Sequence, residues 1–208
     1  PGETGTVTNA GDYDDYIAKD GLKDATEDVS VPLDSHTTEG KATITEGVIT
    51  WENGDITFKV NTAAGLYGLK IVWKPASSGV DPVFGLKIDG QTPYSAAAQF
   101  ELKREWKNAS EKPRTDKNGN EYSQEQVETG EYITTIMQDY SGAVTDPYKF
   151  KLTEGIHTIT LVNPEMPILI KEIKFVTPEN TAVIPIAPPN AGLIPSNNAP
   201  VPPKVPPI

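Results

Sequence analysis

Apolar and polar residues alternate along much of the chain. Within residues 55–61 (DITFKVN), Ile56, Phe58 and Val60 alternate with polar residues, which is the period of a strand with one buried face. Similar runs recur up to residue 176, with turn residues between them and no long segment of helical spacing. About eight or nine strands without helical spacers predict an all-β protein, an antiparallel β-sandwich of the jelly-roll type.

Glycine-containing dipeptides predict where these strands end. The dipeptide EG at 46–47 divides residues 41–51 (KATITEGVITW) into two strands. The dipeptide NG at 53–54 is typical of two-residue hairpin turns. We therefore expect the strand that ends before it to pair directly with the strand at residues 55–61.

The alternation also indicates which side chains meet between the two sheets. We expect one buried seam, to which strands throughout the sandwich contribute. Trp51 and Trp73 lie within strands and are expected in the core as well. The seam is expected to contain Ile56, Phe58, Leu69, Ile71, Leu86, Ile88, Ile159, Leu161, Ile173 and Phe175.

Three regions of different composition divide the chain. Residues 1–28 predict an extended arm and a short acidic helix, and residues 29–177 predict the β-sandwich domain with a long loop insert at 107–147. Residues 178–208 contain ten prolines. Because proline has no N–H for a sheet ladder, this last region is expected to be a Pro-rich extended tail or a linker.

Two acidic stretches raise the question of a structural calcium ion. In the first, Tyr13, Tyr16 and Ile17 share one face of the expected helix, and we favour a solvated acidic face that docks on the sandwich. In the second, DKNGNE at 116–121, Glu121 stands where a calcium loop needs glycine, so a hydrogen-bonded turn is favoured. The carboxylates of the first stretch are Asp12, Asp14 and Asp15.

Composition argues against several classes of function. The chain of 208 residues has 19 prolines, 17 glycines and a net charge of −11, so it is expected to repel nucleic-acid phosphates. It has no cysteine, which excludes disulfides, thiolate metal sites and cysteine nucleophiles. No apolar run approaches the ~20 residues of a membrane helix, so no transmembrane segment is expected.

No catalytic arrangement is visible in the sequence. Its two histidines, His36 in a polar loop and His157 on a strand, are both expected at the surface. We find no Ser-His-Asp pattern, no metal-spaced histidines and no phosphate-binding glycine loop. Paired carboxylates for glycoside hydrolysis are recognised by geometry rather than by spacing and stay open. We expect no enzyme and no cofactor.

The insert combines aromatic rings with amide and guanidinium groups. The apolar C–H faces of a sugar ring pack on flat aromatic rings, while its hydroxyls bond to polar side chains. These groups predict a shallow saccharide site rimmed by loops. Alternatively, Trp106 anchors the insert to the sandwich. The candidate ligand-binding residues are Trp106, Arg114, Tyr122, Gln126 and Tyr140.

Four segments resemble a known group of folds. GLYGLKIVW (65–73), GLKIDGQTPY (85–94), GIHTITL (155–161) and ILIKEIKF (168–175) resemble the signature strands of galactose-binding-like jelly rolls. This is the fold of carbohydrate-binding modules found on bacterial glycosidases. The resemblance implies the same two-sheet architecture that the alternation predicts.

The insert resembles a narrower family. Trp106, DKNGN (116–120) and the QVE triplet after it resemble the N-terminal module of extracellular sugar solute-binding lipoproteins of Firmicutes, in which a Trp, a run ending in DNxGN and a QVE triplet recur. YDDYIAK (13–19) is similar to the opening helix of that family. The resemblance covers about residues 12–177. It does not assign ligand residues, and no periplasmic-binding domain follows residue 176 within this sequence.

Three functions follow as hypotheses. The resemblance implies a non-catalytic carbohydrate-binding-like module of a bacterial extracellular or cell-surface protein, with an oligo- or polysaccharide as its partner. The alternative is a structural subunit of an extracellular assembly, in which the arm or the Pro-rich tail packs on a neighbouring copy. A third hypothesis is an enzyme fragment whose catalytic domain follows residue 208.

Overall fold

A computed structural model describes residues 11–112 and 114–181. In these residues there is one α-helix, α1 (Gly11–Ala18), with three short 3-10 helices at Leu33–Ser35, Ser95–Ala98 and Pro178–Thr181. The described strands are β1 (Val29–Ser30), β2 (Thr37–Thr38), β3 (Lys41–Thr45), β4 (Val48–Asn53), β5 (Ile56–Thr62), β6 (Gly65–Pro75), β7 (Val83–Ile88), β8 (Phe100–Glu101), β9 (Trp106–Asn108), β10 (Arg114–Thr115), β11 (Glu121–Tyr122), β12 (Gln126–Glu128), β13 (Ile133–Ile136), β14 (Lys149–Leu152), β15 (Gly155–Val162) and β16 (Ile168–Val176).

Two large sheets make up the body of the molecule. The first has the order β13-β6-β16-β4-β3, with β14 on another part of β6 and β1 on β16. The second has the order β2-β5-β15-β7-β8. Every pairing between these strands is antiparallel. The predicted all-β, antiparallel jelly-roll sandwich with a short N-terminal helix is confirmed.

The inner faces of both sheets contribute to one hydrophobic core. Of the ten side chains predicted for the seam, nine are buried, and Ile88 is half-buried against the same cluster. Trp51 and Trp73 are fully buried, as predicted. The Trp51 ring of the first sheet meets the Phe84 ring of the second at 6.2 Å between centroids. Contacts of this kind join the two sheets into a single packed unit.

The dipeptide Asn53-Gly54 does not make the predicted hairpin. β4 pairs with β3 and β16 in the first sheet, whereas β5 pairs with β2 and β15 in the second. The turn therefore carries the chain from one sheet to the other. A Cβ at Gly54 would lie 2.5 Å from the Gly40 Cα, so the crossing requires two glycines in contact. By contrast, the turn at 46–47 joins β3 to β4 as predicted.

Helix α1 docks through its tyrosines, on the face predicted for it. The Tyr13 hydroxyl accepts a hydrogen bond from the Lys149 N–H (2.9 Å), and the Tyr16 hydroxyl accepts one from the Lys151 N–H (2.7 Å). These two N–H groups lie on the edge of β14 that faces away from β6. The helix thus covers a sheet edge that would otherwise present unpaired donors.

Parts of the predicted organisation fall outside the described residues. They include the extended arm at 1–10 and residues 182–208 of the Pro-rich tail, and with them the alternative of assembly through arm or tail. The boundaries at 28 and 177 stay predictions. No helix within the described ranges is long and apolar enough to cross a membrane.

Candidate functional site

Most of the region predicted as a loop insert folds into a long β-hairpin. β9 pairs with β12, and β10 pairs with β11 further out. Between the two pairs, the Ala109 N–H donates to the Glu125 carbonyl at 2.8 Å, and near the tip the Asp116 N–H donates to the Asn120 carbonyl at 2.9 Å. We call residues 106–128 the hairpin arm. Its two antiparallel pairs follow one another from β9–β12 at the base to β10–β11 nearer the tip.

The tip of the hairpin arm is a hydrogen-bonded turn, as the sequence favoured. The Asp116 carboxylate accepts from the N–H groups of Asn118 (2.8 Å) and Asn120 (2.9 Å) and from the Asn120 side-chain amide (3.0 Å). The bonds from Asn120, followed by that from Asn118, lower the pKa of Asp116. Its oxygens therefore stabilise the turn itself.

Arg104 fixes the base of the hairpin arm. Its side chain is 1% exposed. The guanidinium donates to the carbonyls of Val80 (2.8 Å) and Ser77 (2.9 Å) and to the Glu128 carboxylate (2.5 Å). The Arg104 N–H donates to the Asp81 carboxylate at 3.0 Å. One buried cation therefore connects the arm to the segment after β6.

One face of the hairpin arm joins an aromatic ring to polar side chains. In the β9–β12 register, Trp106 is opposite Glu128 and Asn108 is opposite Gln126. Opposed residues of an antiparallel pair project to the same side. The Gln126 side-chain amide donates to the Asn108 side-chain oxygen at 2.5 Å. We call these four residues the Trp106 face.

Trp106 is the exposed indole of the molecule. It is 49% exposed, and no ring or cation of the described residues lies against it. The alternative that Trp106 anchors the insert stays a prediction; the hydrogen bonds described at the base of the hairpin arm are those of Arg104. Trp106 leaves a flat apolar surface beside the amides of Asn108 and Gln126.

Two other predicted site residues pair with each other further out. Arg114 and Tyr122 are opposite one another in the β10–β11 register, and the guanidinium carbon lies 4.8 Å from the centroid of the Tyr122 ring. This is the geometry of a cation–π contact. One side of the Tyr122 ring is thus already occupied by a cation, although the side chain is 48% exposed.

Tyr140 lies apart from the hairpin arm, in the loop between β13 and β14. Its ring is covered on one side by the Lys103 ammonium, at 5.4 Å from the centroid. No hydrogen bond or ring contact between described residues joins it to Trp106, Arg114, Tyr122 or Gln126. The structure therefore brings together Trp106 with Gln126 and Arg114 with Tyr122, and leaves Tyr140 beside a separate pocket.

His157 is a polar residue that the sequence prediction placed wrongly. It is buried, its Nδ1 lies 2.7 Å from the Asp89 carboxylate, and its Nε2 lies 3.0 Å from the Thr153 carbonyl. In GIHTITL it alternates with Ile159 and Leu161, both core residues. That alternation was the signal that could have placed it inside. His36 is half-buried, with Nδ1 2.9 Å from the Leu33 carbonyl.

The carboxylates of the acidic stretch at α1 are not grouped together in the structure. Within the described ranges, no three His, Asp or Glu side chains are grouped so that they could hold a metal ion. Asp12 accepts a hydrogen bond from the Ser95 N–H at 2.6 Å, while Asp14 and Asp15 are exposed. Two of the three carboxylates thus face solvent, and the structural calcium ion stays a prediction.

Comparison with known proteins gives structural likeness only. No protein-family model and no curated protein matches the chain. A family 35 carbohydrate-binding module from Clostridium thermocellum, in its native structure, is 11% identical with a TM-score of 0.38, over 74% of this chain and 95% of that one. Another family 35 module from Clostridium thermocellum is 14% identical with a TM-score of 0.33, over 70% and 98%.

A third similar structure belongs to a larger protein. It is the GH26-CBM35 β-(1,4)-mannanase of Podospora anserina, with 14% identity, a TM-score of 0.37 and coverage of 75% of this chain. The match spans only 27% of the mannanase chain. Likeness of this degree does not establish a common ligand or a common binding site. The resemblance to solute-binding lipoproteins is not tested by these matches and stays a prediction.

Proposed function

We propose that the chain is a non-catalytic carbohydrate-binding module of a bacterial extracellular or cell-surface protein, and that the Trp106 face binds the saccharide. One observation carries the proposal. A half-exposed indole, free of any described ring or cation partner, lies beside the paired amides of Asn108 and Gln126 on one face of an anchored hairpin.

The chemistry of the Trp106 face suits a sugar. An indole offers a flat apolar surface for the C–H face of a sugar ring, and an amide both donates and accepts hydrogen bonds with hydroxyls. The Gln126 amide nitrogen and the Asn108 oxygen use only part of their capacity on each other. Because the face is on a hairpin whose strands are mostly exposed, it suits a chain that passes over the surface rather than a small ligand enclosed in a cavity.

The same face lacks the groups that hydrolysis needs. Glycoside hydrolysis generally uses two carboxyl groups on opposite sides of the scissile bond. The described carboxylate on the Trp106 face is Glu128, and it is engaged by the buried Arg104 guanidinium at 2.5 Å. That one carboxylate is already paired with Arg104, so binding without catalysis is the function that this face supports.

The test uses the tryptophans of the protein as reporters. Trp51 and Trp73 are 0% exposed and Trp106 is 49% exposed, so acrylamide should quench chiefly the Trp106 fluorescence. Soluble β-1,4-manno-, β-1,3-galacto-, β-1,4-gluco- and β-1,4-xylo-oligosaccharides form the panel. We expect at least one of them to protect Trp106 from quenching and to give a calorimetric binding signal.

Variants distinguish binding at the Trp106 face from non-specific binding. Trp106→Ala should abolish the calorimetric signal, and Gln126→Ala should weaken it. Tyr122→Ala is the matched control, because its ring is equally exposed but belongs to the outer β10–β11 pair rather than to the Trp106 face; it should bind like the unaltered protein. No protection by any sugar of the panel, or full binding by Trp106→Ala, would show the proposal to be wrong.

A further inference from the structure

We propose that a second pocket, beside Tyr140, binds one neutral sugar unit independently of the Trp106 face. The pocket has a volume of about 240 Å³ and is lined by Gln99, Glu101, Gln138, Tyr140 and Tyr148, with Asp139 and Ser141 from the same loop. Ligand pockets for drug-sized molecules measure roughly 300–1,000 Å³. A pocket below that range suits a single ring.

The wall of the Tyr140 pocket is already shaped without a ligand. The Asp139 carboxylate accepts from the Ser141 N–H (2.8 Å), the Ser141 hydroxyl (2.9 Å) and the Val144 N–H (2.8 Å). Partial burial alone would raise the pKa of Asp139, but these hydrogen bonds lower it overall. The loop is therefore held in one shape, and a ligand need not order it.

Charge in the pocket favours a neutral ligand. Of its two carboxylates, Glu101 lies 2.5 Å from the Lys103 ammonium, and Asp139 is committed to its own loop. Neither carboxylate is therefore free to bind a cation. A hydroxyl-rich neutral molecule can still bond to their remaining lone pairs without disrupting either arrangement.

Polar groups remain unused around the pocket. The Gln99 side-chain amide and the Tyr148 hydroxyl make no hydrogen bond to another described residue. Burial raises the pKa of Tyr148 to about 12, so the hydroxyl stays protonated at neutral pH and can donate. Together they offer donors and acceptors next to the 42% exposed Tyr140 ring, the combination that a sugar ring requires.

A larger groove at the β1 side of the sandwich lacks the combination of an accessible aromatic ring with polar groups. It has a volume of about 670 Å³ and is lined by Asp24, Glu27, Asn61, Tyr67 and Glu154, among others. Its aromatic residue, Tyr67, is 2% exposed and donates its hydroxyl proton to the Ala63 carbonyl at 3.0 Å. No ring face is available there for a sugar to pack on.

The experiment uses the full chain and single sugars as probes. Glucose, galactose, mannose, xylose and N-acetylglucosamine are each tested at millimolar concentration by saturation-transfer difference NMR. We expect a signal from at least one of them, weakened about tenfold or more in apparent affinity by Tyr140→Ala and by Gln99→Ala. Tyr122→Ala is again the matched aromatic control and should leave the signal unchanged.

Trp106→Ala distinguishes this proposal from the one above. A monosaccharide signal that survives Trp106→Ala and is lost in Tyr140→Ala supports the pocket, whether or not the Trp106 face binds oligosaccharides. If none of the five sugars gives a saturation-transfer signal, the proposal is wrong. It is also wrong if a signal survives both Tyr140→Ala and Gln99→Ala, or if only Trp106→Ala removes it.

Discussion

Arg104 illustrates how a buried side chain determines the place of an exposed one. Its guanidinium satisfies two backbone carbonyls and one carboxylate at the base of the hairpin arm. Trp106 is two residues further along, at the start of β9. The orientation of the Trp106 face therefore depends on a residue that would not touch the ligand.

We expect Arg104→Met to lower the free energy of unfolding by roughly 3 kcal/mol, because it leaves Glu128 and two carbonyls without their buried partner. Urea unfolding followed by circular dichroism measures the change. The matched control is Lys103→Met, since the side chain of Lys103 is 40% exposed in its ion pairs and exposed pairs contribute about 0–1 kcal/mol. Equal effects of the two substitutions would contradict this role for Arg104.

The contact between Asp89 and His157 predicts sensitivity to acid. Burial alone would raise the pKa of Asp89, but the Thr158 N–H and His157 lower it overall. The stabilisation is therefore present above the unfolded-state pKa of about 3.9 and is lost as the pH falls through the lower, folded value. Asp89→Asn should lower stability at pH 7 and flatten its decline between about pH 5 and 2.

Urea midpoints measured across that pH range check this expectation. Asp15→Asn, at an exposed position of α1, is the control and should preserve the slope of the unaltered protein. If Asp89→Asn also preserves the slope, the hydrogen bonds of Asp89 do not contribute to acid stability.

At the scale of single residues, the sequence predicted apolar burial well and polar burial poorly. Alternation was sufficient to identify nine of the ten core side chains, because inward positions on strands are fixed by period. His157 follows the same period, but its burial depends on Asp89, a partner 68 residues away. Such partners come from strand order, which local alternation does not contain.

Local alternation also does not contain the pairing of whole elements. The dipeptides at 46–47 and 53–54 have similar turn chemistry, yet one joins neighbours in a sheet and the other joins the two sheets. The difference between the two turns is determined by the pairing of β4 with β16 and of β5 with β15. Each of these pairings joins strands that are distant in sequence. The sequence predicts a loop where the hairpin arm forms, because the strands of the arm are short and polar, with no buried face to produce alternation.

Helix α1 gives a prediction at this scale. Tyr13→Phe with Tyr16→Phe removes both acceptors from the edge of β14 while keeping the rings. Each half-buried N–H then loses its partner, so we expect a loss of roughly 1–2 kcal/mol per substitution. Amide hydrogen exchange should become faster at Lys149 and Lys151 and stay slow at Phe150, which is directed toward β6.

Exchange that accelerates equally at all three amides would instead indicate loosening of the whole strand. Unchanged exchange at Lys149 and Lys151 would mean that the tyrosine hydroxyls do not protect this edge. Either result would contradict the edge-covering role of α1.

For the whole molecule, the shared core predicts one cooperative unit. Side chains from both sheets belong to a single buried cluster, so the loss of packing in one sheet should destabilise the other. The buried reporters, Trp51 and Trp73, both lie in the first sheet. A substitution in the second sheet therefore tests whether the two sheets unfold together.

Leu161→Ala is that substitution, because Leu161 is 0% exposed on β15, opposite Ile56 and Leu86. We expect it to lower the free energy of unfolding by about 2–5 kcal/mol, with coincident urea transitions by tryptophan fluorescence and circular dichroism. Ile156→Ala, on the same strand but 74% exposed, should change stability by less than about 0.5 kcal/mol. If the fluorescence midpoint stays in place while the circular dichroism midpoint falls, the sheets unfold separately, and the hairpin arm is anchored to only one of two independent units.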